Sequence, residues 1–68
     1  MGRFDKHHRL PRSIGGKNKP RNISHIPRNL HESWHLLFAN MTAEQIAQRI
    51  TDWYLDPNFV MVAIPREE

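Results

Sequence analysis

The stretch DKHHRLPRSIGGKNKPRNISHIPRNLHESWH, residues 5–35, decides the fold of this chain. Residues 6–10 can form a short strand that ends before Pro11, a residue with no N–H to donate to a sheet. Residues 11–21 are dense in Pro, Gly, Ser and Asn, which predicts a loop. Residues 22–26 alternate weakly and predict a return strand. We therefore expect a hairpin with strands at 6–10 and 22–26 and a long basic loop.

A helix is predicted over residues 28–40, because four apolar side chains recur there at helical spacing. They are Leu30, Trp34, Leu37 and Phe38. Its start has two interpretations. Pro27 can open a helix at its first turn, and Asn29 with Glu32 has the spacing of a capping box.

A second helix is predicted over residues 43–55. Thr42 and Gln45 form a T-x-x-Q capping box at its start, and Met41 can pack against Ile46 as a hydrophobic staple. A buried stripe is expected at Ile46, Ala47, Ile50, Trp53 and Tyr54. The apolar run FVMVAI, residues 59–64, predicts a short third strand. The fold class is therefore α+β, in a single domain over residues 1–68.

The composition limits how such a small domain can be stabilised. The chain has 68 residues and no cysteine, which excludes disulfides and thiolate zinc sites. Because small domains usually need a staple, we expect a histidine-held metal or a partner. No run approaches the roughly 18 apolar residues of a membrane span, and no secretion signal is visible. We expect a soluble, intracellular (cytoplasmic) protein with no membrane partner.

Charge is distributed unevenly along the chain. Residues 1–28 carry eight Lys and Arg against Asp5 alone, a net charge of +7, whereas residues 29–68 carry two Arg against six acidic residues, a net charge of −4. Such a basic half predicts a polyanion partner, because each neutralised phosphate releases counterions. The competing interpretation is a solvated basic arm.

Four of the five histidines form a pattern: the doublet His7-His8, then His31 and His35 one helical turn apart. An i, i+4 histidine pair is more often solvated or packed than metal-bound, so neither pair is decisive alone. His25 lies outside the pattern, and we expect it on a strand or at the surface. The four aromatic residues of the helices are expected in the core rather than stacked on bases. They are Trp34, Phe38, Trp53 and Tyr54.

The order of these residues along the chain resembles the HNH endonuclease family, with the spacing of the colicin-type DNases. The matching residues are His7-His8, the loop RLPRSIGG, Asn22-Ile23, His31 and His35. The resemblance covers about 31 of the 68 residues, from Asp5 to His35. It implies a ββα-metal finger. Two features depart from the family: the Cys-x-x-Cys knuckles of many members are absent, and the surrounding domain of the colicin-type enzymes is far larger.

Carried over by residue, the resemblance implies that His7, His31 and His35 bind one divalent metal and that His8 is the general base. Asn22 would act as a supporting catalytic residue that holds the loop and the first strand and so aligns His8. Asp5 would orient a metal-bound imidazole or engage a basic side chain. Imidazole ligands favour zinc, nickel, cobalt or manganese in affinity, while magnesium can still support turnover.

Five basic side chains are expected to contact DNA phosphates without reading base edges. They are Arg9, Arg12, Lys17, Lys19 and Arg21. Gly15 and Gly16 either allow the loop to approach a phosphate backbone or are plain turn residues.

The expected activity is that of a metal-dependent endonuclease that nicks DNA with low sequence specificity; cutting both strands would require a dimer or two events. Two alternatives remain open: a metal-stapled ββα module that binds DNA or a protein without turnover, and a regulatory protein that mimics a nuclease finger.

Overall fold

A computed structural model describes residues 2–67 as a two-stranded antiparallel hairpin followed by two helices. Strand β1 is Phe4–His8 and strand β2 is Ile23–Pro27. Helix α1 is Arg28–Phe38 and helix α2 is Ala43–Trp53. The predicted small α+β architecture is confirmed at this level, and the order β-β-α is compatible with a ββα arrangement.

The hairpin pairs Phe4 with Pro27 and His8 with Ile23. Its first strand therefore begins and ends two residues earlier than the predicted 6–10. The reason lies in Asn22, which precedes β2 instead of opening it. The N–H and the carbonyl of Leu10 are both hydrogen-bonded to the side-chain amide of Asn22. Leu10 is therefore bonded to a side chain and not to the backbone of a partner strand.

The connection between the strands contains two short 3-10 helices, Arg12–Ile14 and Pro20–Asn22. Both glycines have a local structural reason. Gly15 has φ of 106°, a value that favours glycine. A Cβ on Gly16 would overlap the carbonyl oxygen of Leu10. Closure of the loop on its own backbone thus requires both residues.

Helix α1 follows directly from β2, with Pro27 at the junction and no side-chain cap. The capping box of Asn29 and Glu32 was the wrong alternative, because the helix begins before it. The N–H of Arg28 instead donates to the carbonyl of Arg3 (2.7 Å), which ties the helix start to the first strand. The helix ends at Phe38, two residues before the predicted 40, where Ala39 adopts a positive φ of 48°.

Helix α2 begins with the predicted capping box. The Gln45 N–H donates to the Thr42 hydroxyl, and the Thr42 N–H donates to the Gln45 side chain. The helix ends at Trp53 and not at 55. The predicted burial of Trp53 and Tyr54 was wrong: they are 65% and 56% exposed. The Arg49 guanidinium lies 4.1 Å from the Trp53 ring centroid.

The predicted strand at 59–64 was also wrong. This segment is irregular, and the hairpin is the one sheet found in residues 2–67. The apolar run lies beside α2 without a neighbouring strand edge. The Met61 N–H therefore donates to the Thr51 hydroxyl (2.9 Å) and not to a strand carbonyl.

The apolar core is small. Within residues 2–67, Phe38 and Ala47 are the buried apolar side chains. Hairpin, both helices and the C-terminal segment line a common apolar groove. Its lining includes Leu10, Ile26, Trp34, Ile46, Ile50 and Met61. No helix among the described residues is long and apolar enough to cross a membrane.

Candidate metal centre and basic groove

Three histidines from two elements meet near the loop end of the hairpin, where His7 pairs with Ser24. His7 lies near the end of β1, and His31 and His35 lie one turn apart on α1. Side chains at i and i+4 share one helix face. Because α1 follows β2 directly and β2 pairs with β1, that face is brought against His7. The predicted ligand set therefore converges in space.

One ring nitrogen from each of the three histidines lies within 4.8 Å of the other two. The Nε2 atoms of His31 and His35 are 2.9 Å apart. Tetrahedral zinc, with Zn–N bonds of about 2.0–2.1 Å, places its ligand nitrogens about 3.4 Å apart. These distances bracket that value, so the three imidazoles are close enough to hold one metal ion.

The His7 ring gives a second indication. Its Nδ1 is a buried polar atom without a hydrogen-bond partner, the one such side-chain atom found in the described part of the chain. Buried polar atoms are nearly always paired. His7 packs edge-on against Trp34 and His31, with ring centroids 5.8 and 5.3 Å apart. The donor set and the unpaired nitrogen both fit a divalent cation that imidazoles prefer, and they do not select among zinc, nickel, cobalt and manganese.

Burial lowers the pKa of His7 below its ordinary value of 6.5, and the charges of His31 and His35 lower it further. A metal ligand must be the neutral imidazole. The surroundings of His7 thus favour the form that could bind a metal.

Asp5 holds one of the three rings. Its Oδ2 accepts a hydrogen bond from Nδ1 of His31 (3.2 Å), and its Oδ1 accepts one from Nε of Arg28 (3.3 Å). The bond from His31, together with Arg28, lowers the pKa of Asp5 below 3.8 against the opposing effect of burial. With the His31 proton on Nδ1, the lone pair of the neutral ring is on Nε2, which faces His35. Both contacts expected of Asp5 are formed.

His8 lies beside the three-histidine cluster and has a partner of its own. Nε2 of His8 lies 2.6 Å from Oδ1 of Asn18, a carbonyl oxygen that can only accept. With the Asn18 amide in this orientation, Nε2 of His8 donates the hydrogen bond and the lone pair of the neutral ring is on Nδ1. Asn18 was not singled out from the sequence, because loop asparagines are common and nothing local indicates a contact ten residues away.

Asn22 joins the loop to the end of β1. Its Oδ1 accepts from the N–H of Leu10 (2.7 Å), and its Nδ2 donates to the carbonyls of Leu10 (3.1 Å) and Lys17 (2.9 Å). The side chain thus fixes the backbone two residues beyond His8. The family resemblance implied a contact of this kind, between the loop and the chain that follows the first strand.

The three histidines of the cluster line a cleft of about 300 Å³ between the loop, β1 and the end of α1. His8 and Arg12 line it with the three-histidine cluster. Arg12 therefore lies apart from the other predicted phosphate contacts. His25 is exposed on β2, paired with Lys6, and does not line the cleft, in keeping with its expected surface position.

The remaining predicted contacts line a second concavity, of about 410 Å³; we call it the basic groove. Its charged lining is Arg9, Lys17, Lys19, Arg21 and Arg66. Arg66 was missed, because a Pro-Arg-Glu-Glu end carries no pattern that links it to residues 45 or more positions earlier. Arg28 was missed for a similar reason: its contact to Asp5 depends on the pairing of β1 with β2.

Comparisons of the chain with protein-family models, with curated proteins and with solved structures found no match.

Proposed function

We propose that this chain is a metal-dependent endonuclease of the HNH type that hydrolyses DNA phosphodiester bonds. The observation that carries the proposal is the cleft itself. It combines three imidazoles within reach of one cation, a fourth imidazole outside that set, and an arginine. This is the equipment that hydrolysis of a phosphodiester needs: a charge for the phosphate, a base for water and an anchor for the substrate.

The proposed ligands are His7, His31 and His35. A divalent cation bound there would supply positive charge to a non-bridging phosphate oxygen and to the leaving 3′ oxygen. Asp5 keeps the His31 ring in the tautomer and orientation that a ligand needs, as carboxylates do beside many metal-bound histidines.

His8 is the proposed general base. Its Nδ1 lone pair accepts a proton from the attacking water while Nε2 remains bonded to Asn18. The water oxygen bonds to phosphorus as the bond from phosphorus to the 3′ oxygen breaks, and that oxygen takes a proton from solvent. The products are a 5′-phosphate and a 3′-hydroxyl. Asn22 positions His8 through the backbone of residue 10, and Arg12 in the cleft holds the phosphate.

Plasmid nicking tests the proposal. Supercoiled plasmid is incubated with the wild type and each of magnesium, manganese, nickel and zinc. His8→Ala is expected to lose about 10²–10⁴-fold in rate, the usual contribution of a general base. His25→Ala is the matched control, because His25 is exposed and outside the cleft. It should nick like the wild type.

Metal content separates the two histidine roles. His8→Ala should retain the bound ion while His35→Ala loses it. Wild type that never nicks plasmid with any of the metals, or His8→Ala that nicks equally well, would contradict the proposal. DNA retention and a metal-dependent melting temperature without nicking would instead favour a binding module.

A further inference from the structure

The basic groove contains a contribution from the far end of the chain. Four of its five basic side chains come from the hairpin connection, residues 9–22, and Arg66 comes from the C-terminal segment. All five residues are exposed, and none of the acidic side chains within residues 2–67 lines the groove. Glu67, the next residue, is not part of the lining.

Arg66 reaches the groove because the chain returns from α2 to the hairpin. Two contacts guide it. The Met61 N–H is bonded to the Thr51 hydroxyl on α2. Residues 61–63 then line the apolar groove together with Leu10. Leu10 also lines the basic groove, so the two grooves meet at this residue. Three further residues of extended chain span about 10 Å, enough to carry Arg66 past it.

A concave surface lined by several basic side chains attracts polyanions. The groove and the histidine cleft are lined by different residues of the same loop, in which Asn22 bonds Leu10 and Lys17. A polyanion in the groove would thus be held beside the cleft. DNA presents one phosphate per about 3.4 Å of each strand, a spacing that suits several cationic side chains in a row.

We propose that Arg66 completes a phosphate-binding groove in which the C-terminal segment clamps the DNA backbone outside the cleavage cleft. This rests on the proposed function for the identity of the polyanion. Arg66 takes the place that the sequence assigned to Arg12, which lies in the cleft. The C-terminal third of the chain therefore acts in substrate binding and not in chemistry.

The test measures binding of a short labelled DNA duplex by fluorescence anisotropy as salt is raised from about 50 to 200 mM. All proteins carry His8→Ala and bound metal, so that the duplex is not cut. Arg66→Gln is compared with Arg66→Lys and with Arg49→Gln. Arg49→Gln removes the same charge from α2 and is the matched control, because Arg49 does not line the groove.

Arg66→Gln should weaken binding about fivefold to tenfold near 0.1 M salt and reduce the slope of log K against log salt by about 0.9, the loss of one phosphate contact. Arg66→Lys should restore the slope, and Arg49→Gln should leave it unchanged. A slope for Arg66→Gln equal to that for Arg49→Gln would overturn the clamp.

The outcomes also separate the clamp from the proposed function. Wild type that nicks plasmid, with Arg66→Gln and Arg49→Gln binding alike, removes the clamp alone. The expected loss of slope, with wild type that never nicks, supports the clamp and removes the endonuclease proposal. Parent protein that does not bind the duplex removes the clamp.

Discussion

Residues 4–38 and residues 42–66 are held in place by different kinds of interaction. In the first region, side-chain hydrogen bonds fix the backbone and the rings. Asn22 bonds the backbone of Leu10 and Lys17, and Asp5 bonds the ring of His31. In the second, α2 and the C-terminal segment meet the hairpin mainly across an apolar groove. Hydrogen bonds specify position to fractions of an ångström, whereas apolar contact is non-directional. The proposed chemistry is located in the first region, and the second contributes one basic side chain.

The second region leaves much of its hydrophobic surface exposed. Phe59, Val60 and Ile64 are each more than 60% exposed. With a core this small, a bound ion that favours the folded state would add stability that the second region does not supply. The difference between the regions predicts where substitutions act most strongly.

The largest effect is expected from Asn22→Ala in the first region. It removes three hydrogen bonds and leaves two carbonyls and an N–H of the loop without their partner. We expect a loss of about 3 kcal/mol in the free energy of unfolding, measured by urea denaturation. Nicking should fall steeply while the metal content stays near that of the wild type, because no ligand is touched. Wild-type stability for this variant would contradict the structural role of the amide.

A smaller effect, of opposite sign, is expected at the joint between the regions. Ala39 has φ of 48° and ψ of −128°, and the Met41 N–H donates to the Phe38 carbonyl across it. A type II′ turn favours glycine at this position. Ala39→Gly should relieve about 1–3 kcal/mol of backbone strain, offset by about 0.4–1 kcal/mol of unfolded-state entropy.

The net gain from Ala39→Gly, about 1 kcal/mol, is measurable by urea denaturation. Ala43→Gly is the control, because Ala43 opens α2. There glycine should lose about 0.5–1 kcal/mol. If both variants lose stability alike, the strain at Ala39 is not real.

Thr51→Val tests the second region. It removes the hydroxyl that accepts from the Met61 N–H (2.9 Å) and donates to the Ala47 carbonyl (2.9 Å). Met61 is 44% exposed, so water can replace the lost partner. We expect a loss of about 0.5–1 kcal/mol and faster hydrogen exchange at Met61. DNA binding should weaken as for Arg66→Gln, with no change in metal content. Unchanged exchange at Met61 would show that the contact does not hold the segment.

The smallest effect is on the pH dependence of the metal-free protein. The folded pKa of His7 is lowered, chiefly by burial, so between pH 6.5 and that lower value the unfolded chain binds more protons than the folded chain. Stability contributed by this ring is full above pH 6.5 and decreases as the pH falls below it. Asp5, whose pKa is also lowered, acts in a separate window that begins near pH 3.8.

Urea midpoints measured in a chelator at several pH values on both sides of 6.5 check the His7 prediction. His7→Gln should flatten the curve in that range. An equally steep curve for His7→Gln would assign the dependence to the other histidines.

Local sequence patterns predicted the elements but not all of their ends. The turn residues of the loop, the spacing from Leu30 to Phe38 and the Thr42–Gln45 cap each act within one or two turns of chain, so they gave the hairpin and both helices. The candidate ligand set came from the family resemblance that the order of the histidines suggested. The strand at 59–64 was wrong, because an apolar run forms a strand only where a sheet edge is available to pair with it.

The chain by itself determined which side chains could do chemistry, since their type and spacing are written in it: an i, i+4 pair, a doublet and an asparagine before the return strand. Only the tertiary structure decided what each one meets. Asn18 bonds His8 across 10 positions of sequence, and Arg28 bonds Asp5 across 23. Arg66 lies in the basic groove with residues at least 45 positions earlier. Such contacts arise from the pairing of β1 with β2 and from the return of the chain beyond α2, and no local periodicity encodes them.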